Sequence, residues 1–207
     1  MNESVVRLDE IGFWSEIKLD ILKEYSVVYS TILAAQKKKG VLLDHFYIDA
    51  FAGAGVHVSK DSRQLIPGSP ANALLVTPPF RGYFFIDLKR AKVELLKELA
   101  KCRSDVKIFK GDCNRVLLDS IFPRVRREDY RRALCILDPY GLHLNWEVTR
   151  QAGKMRSVEI FLNFPVMDMN MNVLKHDAAA VDLKQKARMN AYWGDDSWEA
   201  AAYNTTS

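Results

Sequence analysis

Four short segments of this chain have residue types and spacing suited to holding a small charged ligand. The first is Asp44-His45-Phe46-Tyr47-Ile48-Asp49-Ala50-Phe51-Ala52-Gly53-Ala54-Gly55, an apolar run that ends in a carboxylate and passes into a Gly-x-Gly turn. Glycine tolerates positive φ and has no Cβ, so such a turn can leave a strand sharply and keep its amides open to a ligand. The others are Asp87 after Tyr83 to Ile86, Gly111-Asp112 after Val106 to Phe109, and Asp138-Pro139-Tyr140-Gly141 after Ala133 to Leu137.

Three ligand classes compete for the glycine turn, and the neighbouring residues separate them. A phosphate-binding P-loop needs Gly-Lys-Ser/Thr, whereas Gly55 is followed by Val56 and His57. A nicotinamide site wants a third glycine where Val58 stands. Asp49, four residues before Gly53, favours S-adenosylmethionine, whose positive methionyl end can use a nearby carboxylate that would repel a pyrophosphate. Asp87 can then accept both ribose hydroxyls, and Asp112 the adenine amino group. Asp138 is placed to hold an amine or accept a proton, Pro139 to stiffen the turn, and Tyr140 to offer a stacking face.

The elements that must position these groups are legible from periodicity. Ile17, Ile21, Leu22, Tyr25, Val28, Tyr29, Ile32 and Leu33 recur at helical spacing between Ser15 and Lys38, before Gly40. Five apolar runs, the fifth being Val158 to Leu162, read as buried strands. Helical patterns lie between them: from Ser69-Pro70, over Leu88 to Lys101, after Asp112, and over Trp146 to Gly153. Val56 to Pro67 reads as an inserted loop, which explains the long interval between the glycines and Asp87. Alternating strands and helices predict a parallel sheet whose strand-end turns, including Asn163 to Pro165, share one crevice. Beyond Pro165 the pattern weakens: Ala178 to Arg188 is helical, while Met167 to Asn172 and Tyr192 to Tyr203 have no clear period. The chain reaches Ser207 without the two further strands of a seven-stranded doubly wound domain.

With 207 residues, 48% of them hydrophobic, the chain suits one buried domain. It has no apolar run long enough for a membrane span and a polar start from Met1 to Glu10, and it reads as cytoplasmic. Cys102, Cys113 and Cys135 lack CxxC spacing, which argues against a disulfide framework and a zinc site; no metal is expected. A net charge of +4 permits a nucleic-acid partner. Arg124, Arg126, Arg127, Arg131 and Arg132 form the densest basic cluster, with Glu128 and Asp129 among them, at the end of the sheet away from the expected crevice. His57 and His143 follow crevice-side turns and are candidate bases.

Several ordered segments, Trp14 to Leu19, Asp49 to Gly55, Gly68-Ser69-Pro70, Phe85-Ile86-Asp87, Gly111 to Asn114, Leu137 to Leu142 and Phe161 to Pro165, carry a resemblance. The chain resembles the three-Cys-motif partner proteins (TcmP), a bacterial family with a class I methyltransferase-like fold, from about Trp14 to Asn170. The resemblance implies an α/β, Rossmann-like class I methyltransferase fold, a mostly parallel sheet with helices on both faces, lacking the last strands. The organisation expected is an N-terminal helical cap over 1–40, the core over 41–175 and a helical C-terminal segment over 176–207. It assigns S-adenosylmethionine to Asp49, Phe51, Ala52, Gly53 and Gly55, with Asp87 at the ribose and Asp112 at the adenine end. Lys18, on a helix covering the crevice, would meet the cofactor carboxylate or a phosphate. Asp138, Pro139 and Tyr140 are the implied catalytic turn. Amino-group methyltransferases carry Asp/Asn-Pro-Pro-Tyr there, and Asp-Pro-Tyr-Gly displaces the aromatic by one position. The family name refers to cysteines of a neighbouring partner, similar to radical-enzyme-like proteins, so a three-Cys-motif protein is the implied partner. Two functions follow as expectations: methyl transfer to an amino group on nucleic acid, or a catalytically reduced module that docks that partner.

Overall fold

The computed structural model describes residues 8–203; the polar start at Met1 to Arg7 and the last residues, Asn204 to Ser207, lie outside the described residues. Five strands, β2 (Asp44–Asp49), β5 (Gly82–Asp87), β6 (Val106–Lys110), β7 (Arg131–Leu137) and β8 (Val158–Leu162), form one sheet in the order β6-β5-β2-β7-β8. Every neighbouring pair is parallel. The α/β, Rossmann-like expectation therefore holds.

Alternation along the strands explains why both faces are covered. Tyr47, Tyr83, Phe85, Leu134 and Ile136 point into one apolar cluster, which Leu22 of α1 (Phe13–Lys38), Ala73 of α2 (Ser69–Leu74) and Leu96 of α3 (Arg90–Leu99) complete. Their neighbours Ile48, Phe84, Ile86, Cys135 and Leu137 point into the other, against Val148 and Ala152 of α5 (Trp146–Met155). A strand buried on both faces reads as a continuous apolar run, as in the central strands β2, β5 and β7; the edge strands β6 and β8 show shorter apolar stretches around the exposed Lys107 and Glu159. Chain order reverses about β2, with β5 on one side and β7 on the other, and open α/β sheets bind ligands outside the strand ends at such a point.

Two regions differ from expectation. Val56 to Pro67 is not a loop: β3 (Val56–Ser59) and β4 (Leu65–Pro67) pair antiparallel, and β1 (Glu10–Ile11) joins β3 in parallel. These strands are two to four residues long, too short for alternation to register. Beyond β8, the helix expected over Ala178 to Arg188 runs as α7 (Leu183–Trp193), while stretches without visible period form α6 (Val166–Asn172) and α8 (Ser197–Tyr203). Asp182 caps α7 by accepting from the Gln185 amide at 2.9 Å, and Gly194, at φ 114°, ends it. Trp198 of α8, 2% exposed, then packs into the second cluster with its indole donating to Asn190 Oδ1 at 2.6 Å. A burial that depends on one tryptophan after a glycine break leaves no helical period to read.

Candidate active site

The carboxyl ends of β2, β5, β6 and β7 open into two adjoining cavities. The first, about 350 Å³, is lined by Ala50, Phe51, Leu88 and Cys113 with Asp87 and Asp112 at its polar edges, and includes Tyr140 and His143. The second, about 410 Å³, contains Lys18, Gly53, His57, Asp138 and Asn163. Phe51 and Tyr140 belong to both walls. Thus Phe51, Ala52, Gly53, Asp87, Asp112, Asp138, Pro139, Tyr140 and Lys18, distant in sequence, converge on one crevice, whereas Asp49 and Gly55 are buried behind it and line neither cavity.

Asp49 is 1% exposed. Its Oδ1 accepts from the Phe51 amide at 3.2 Å and its Oδ2 from the Ser69 hydroxyl at 2.6 Å. Burial pushes its carboxyl up to about 7 against the lowering effect of those two bonds, and the negative charges of Asp138 and Asp87 push in the same direction.

The entry to the glycine turn is built differently from the open-amide expectation. The Phe51 amide goes to Asp49, the Ala52 amide to the Ile86 carbonyl at 3.0 Å and the Gly53 amide to Asp87 Oδ2 at 3.0 Å. Asp87 Oδ1 also accepts from the Lys89 amide at 2.7 Å. Buried amides need partners, and those of Phe51, Ala52 and Gly53 find theirs within the protein, whereas among the described residues the Ala54 and Gly55 amides make no hydrogen bond. Gly53 and Gly55 both take positive φ, 64° and 80°. Gly68 has an ordinary φ of −74°, but a Cβ there would stand 3.0 Å from the Gly55 carbonyl carbon and oxygen. Its amide donates to that same carbonyl at 2.8 Å, closing the β3–β4 hairpin onto the turn. Gly68→Ala is therefore expected to destabilise the fold by about 1–2 kcal/mol through a forced backbone shift, read as a lowered midpoint in urea.

Asp112 caps α4 (Cys113–Val116), its Oδ1 accepting from the Asn114 amide at 3.3 Å. The buried Asn114 links two strand-end loops: it donates to Asp112 Oδ1 and the His143 carbonyl at 3.0 and 2.9 Å, and accepts from the Asn145 amide at 2.7 Å.

At the fourth strand end both carboxylate oxygens of Asp138 are engaged. Lys18 Nζ donates to Oδ2 at 2.6 Å and Asn163 Nδ2 to Oδ1 at 2.7 Å. Lys18 was expected at a ligand carboxylate or phosphate; here its ammonium lies on Asp138 instead. Asp168 fastens the rest of that turn, accepting from the Leu142 amide at 2.8 Å, from Arg188 at 2.7 Å and from Asn172 at 2.6 Å. The C-terminal helices thereby position the Asp138 turn. His57 lines the second cavity, its Nδ1 is buried without a hydrogen-bond partner among the described residues, and burial lowers its pKa, so the ring is neutral at pH 7.

Sequence reasoning missed the segment before β1. Asp9 forms an ion pair with Lys92, a lysine only 8% exposed, and accepts from the Tyr140 hydroxyl at 3.4 Å. The Lys92 ammonium lies 5.8 Å from the Tyr140 ring centre. Tyr140 is 77% exposed. No sequence signal marks a pairing across more than 80 residues.

No family model matches the chain, and no curated protein matches it. Among solved structures, it is similar to a DUF519 protein from Legionella pneumophila at 15% identity and a TM-score of 0.48, over 69% of this chain. The match spans 66% of the length of that structure.

Proposed function

We propose that this chain is an S-adenosylmethionine-dependent methyltransferase acting on an amino group, with nucleic acid as the favoured carrier of that amine. One observation carries the reading: the carboxylates of Asp49, Asp87 and Asp138 gather around a glycine turn, with Lys18 as the cation bonded to one of them. Asp49 is held near neutrality by burial and by those charges, an arrangement that a cationic ligand relieves. The fit extends to the first cavity, whose apolar walls suit a purine and whose carboxylates, Asp87 and Asp112, suit ribose hydroxyls and an exocyclic amine. Bound there, the cofactor supplies an electrophilic methyl group. The protein's part is then positional. Asp138, fixed by Asn163, orients the amine and offsets its charge, while Phe51 and Tyr140 limit access of water between the cavities.

Asp87→Ala tests the pocket. It removes the group that accepts from the Gly53 and Lys89 amides as well as the ribose acceptor. Calorimetric titration with S-adenosylmethionine and S-adenosylhomocysteine is expected to give micromolar binding by the wild type and a loss of at least about tenfold in the variant. A folded wild type that binds neither ligand overturns the reading.

A second reading is supported by the engagement of both Asp138 oxygens and by the displaced aromatic. In it, the fold serves to dock a three-Cys-motif protein, as the TcmP resemblance implies, and transfers nothing. Co-purification with such a partner, without methyl transfer, would favour it.

A further inference from the structure

The amino-terminal edge of the sheet, away from both cavities, gathers cations that the sequence scatters. Four of its five strands begin beside an arginine: Arg103 precedes β6, Arg81 precedes β5, Arg131 opens β7 and Arg156 precedes β8. Asp44 and His45 of β2 lie in register with Arg131 and Arg132, and the Arg81 amide donates to the His45 carbonyl at 2.8 Å. At about 4.8 Å between strands, the backbones of Arg81 and Arg131 flank β2 roughly 10 Å apart. Lys37 and Lys38, at the end of α1, line a cleft of about 630 Å³ with His45, Arg81 and Arg103 on the same edge.

Part of this charge is balanced internally. Asp44 takes Lys37 and Arg81, Asp105 takes Arg103, and Asp129 takes Arg126. Four arginines differ. Arg131 Nη1 donates to the Arg124 carbonyl at 2.8 Å and Arg132 Nη1 to the Arg131 carbonyl at 2.7 Å, and the Arg131 guanidinium lies 5.9 Å from the Phe46 ring centre, so their charge meets backbone dipoles and a ring face but no carboxylate. Among the described residues neither these two nor the exposed Arg124 and Arg127 form an ion pair. Uncompensated guanidinium groups this close repel one another, and a polyanion removes that repulsion.

Tyr130 stands among them, 62% exposed and with its φ at 55°. A bulky residue in that conformation persists only where neighbours hold it. Here its amide donates to the Arg127 carbonyl at 3.0 Å and its carbonyl accepts from the Asp44 amide at 3.0 Å. An exposed aromatic face interleaved with unpaired arginines is the combination that binds unstacked bases together with their phosphates. A duplex hides its base faces, and an anionic membrane has none.

We propose that this edge is a binding surface for single-stranded nucleic acid, with phosphates on Arg124, Arg127, Arg131 and Arg132 and a base stacked on Tyr130. It lies at the opposite end of the strands from the crevice and stands whether or not methyl is transferred there.

Fluorescence anisotropy of the full chain with labelled oligouridine and oligothymidine, over a salt series, tests this. Both strands are expected to bind with an affinity that falls steeply with salt; a preference for one identifies RNA or DNA as the ligand of this edge. Tyr130→Gly removes the ring at a backbone geometry glycine prefers, so the fold is kept, as a thermal melt would verify; affinity should drop at least about fivefold. Arg124→Gln combined with Arg127→Gln, both at exposed positions, should reduce the steepness of the logarithmic salt dependence by about 1–2. No binding at low salt overturns the proposal. So does unchanged affinity in both variants, or equal binding of duplex or phosphatidylserine vesicles with Tyr130→Gly having no effect.

Discussion

Asp49→Asn is expected to make this protein more stable above pH 7 and unable to hold a cationic cofactor. The carboxyl titrates near 7 in the fold against 3.8 when unperturbed, because it is buried beside Asp138 and Asp87. Between about pH 4 and 7 the folded state therefore binds a proton that the unfolded chain does not. Stability falls as pH rises through that window, and the full cost is present above 7. A shift of about three units sets a ceiling near 4 kcal/mol. Asparagine carries no charge and keeps an oxygen for the Phe51 amide, while the Ser69 hydroxyl can reverse its role and accept. Allowing for the weaker bonds, the gain at pH 8 is on the order of 2 kcal/mol, or about 4–8 °C in Tm. The gain should shrink as pH falls through that window, and below about pH 4, where Asp49 is protonated in the folded and the unfolded wild type alike, none of it should remain. Equal melting at pH 8 would mean that Asp49 is not held near neutrality.

The same substitution separates stability from function. If a methionyl ammonium or sulfonium belongs beside Asp49, its charge draws the carboxyl into its ionised form, so binding at pH 7 releases protons. Calorimetry in buffers of different ionisation enthalpy should detect this release in the wild type and not in Asp49→Asn. The variant's affinity should fall on the order of a hundredfold. A more stable protein that binds its ligand poorly is what is expected of a charge buried for use and not for folding.

How much of this was legible in the sequence depended on the range of the interactions. The central strands β2, β5 and β7 were visible because burial on both faces writes itself as an apolar run, which Asp49, Asp87 and Asp138 end or directly follow; the edge strands β6 and β8 showed through shorter apolar stretches. What failed was read from local rules alone. The glycine turn implied open amides, but two acceptors for them, Asp87 Oδ2 and the Ile86 carbonyl, arrive from the neighbouring strand. Lys18 was read on its own helix, and its partner lies 120 residues away. Asp9 and Lys92 meet through the short sheet of β1, β3 and β4, whose strands fall below the length at which period-2 patterning can be seen. The basic edge was half legible: the Arg124 to Arg132 cluster stood out, but Arg81, Arg103 and Lys37 join it only through the lateral order of strands.

Asp138→Asn is the substitution that distinguishes an enzyme from a docking module. The Lys18–Asp138 pair is about a third exposed on both sides, so it contributes at most about 1 kcal/mol to folding. Asparagine preserves the side chain's shape and can still accept from either Lys18 or Asn163, leaving the turn anchored through Asp168 and Leu142. Melting should therefore shift by no more than a few degrees and cofactor affinity by less than about twofold. What is lost is the charge beside the amine, and transfer should fall by on the order of 10²–10⁴ through kcat. Lys18→Met supplies the complementary measurement. With the resident ammonium gone, Asp138 Oδ2 is open to an incoming amine, and KM for the acceptor should fall. If the chain serves only to dock a partner, neither substitution has a rate to change, and partner capture by both variants should equal that of the wild type.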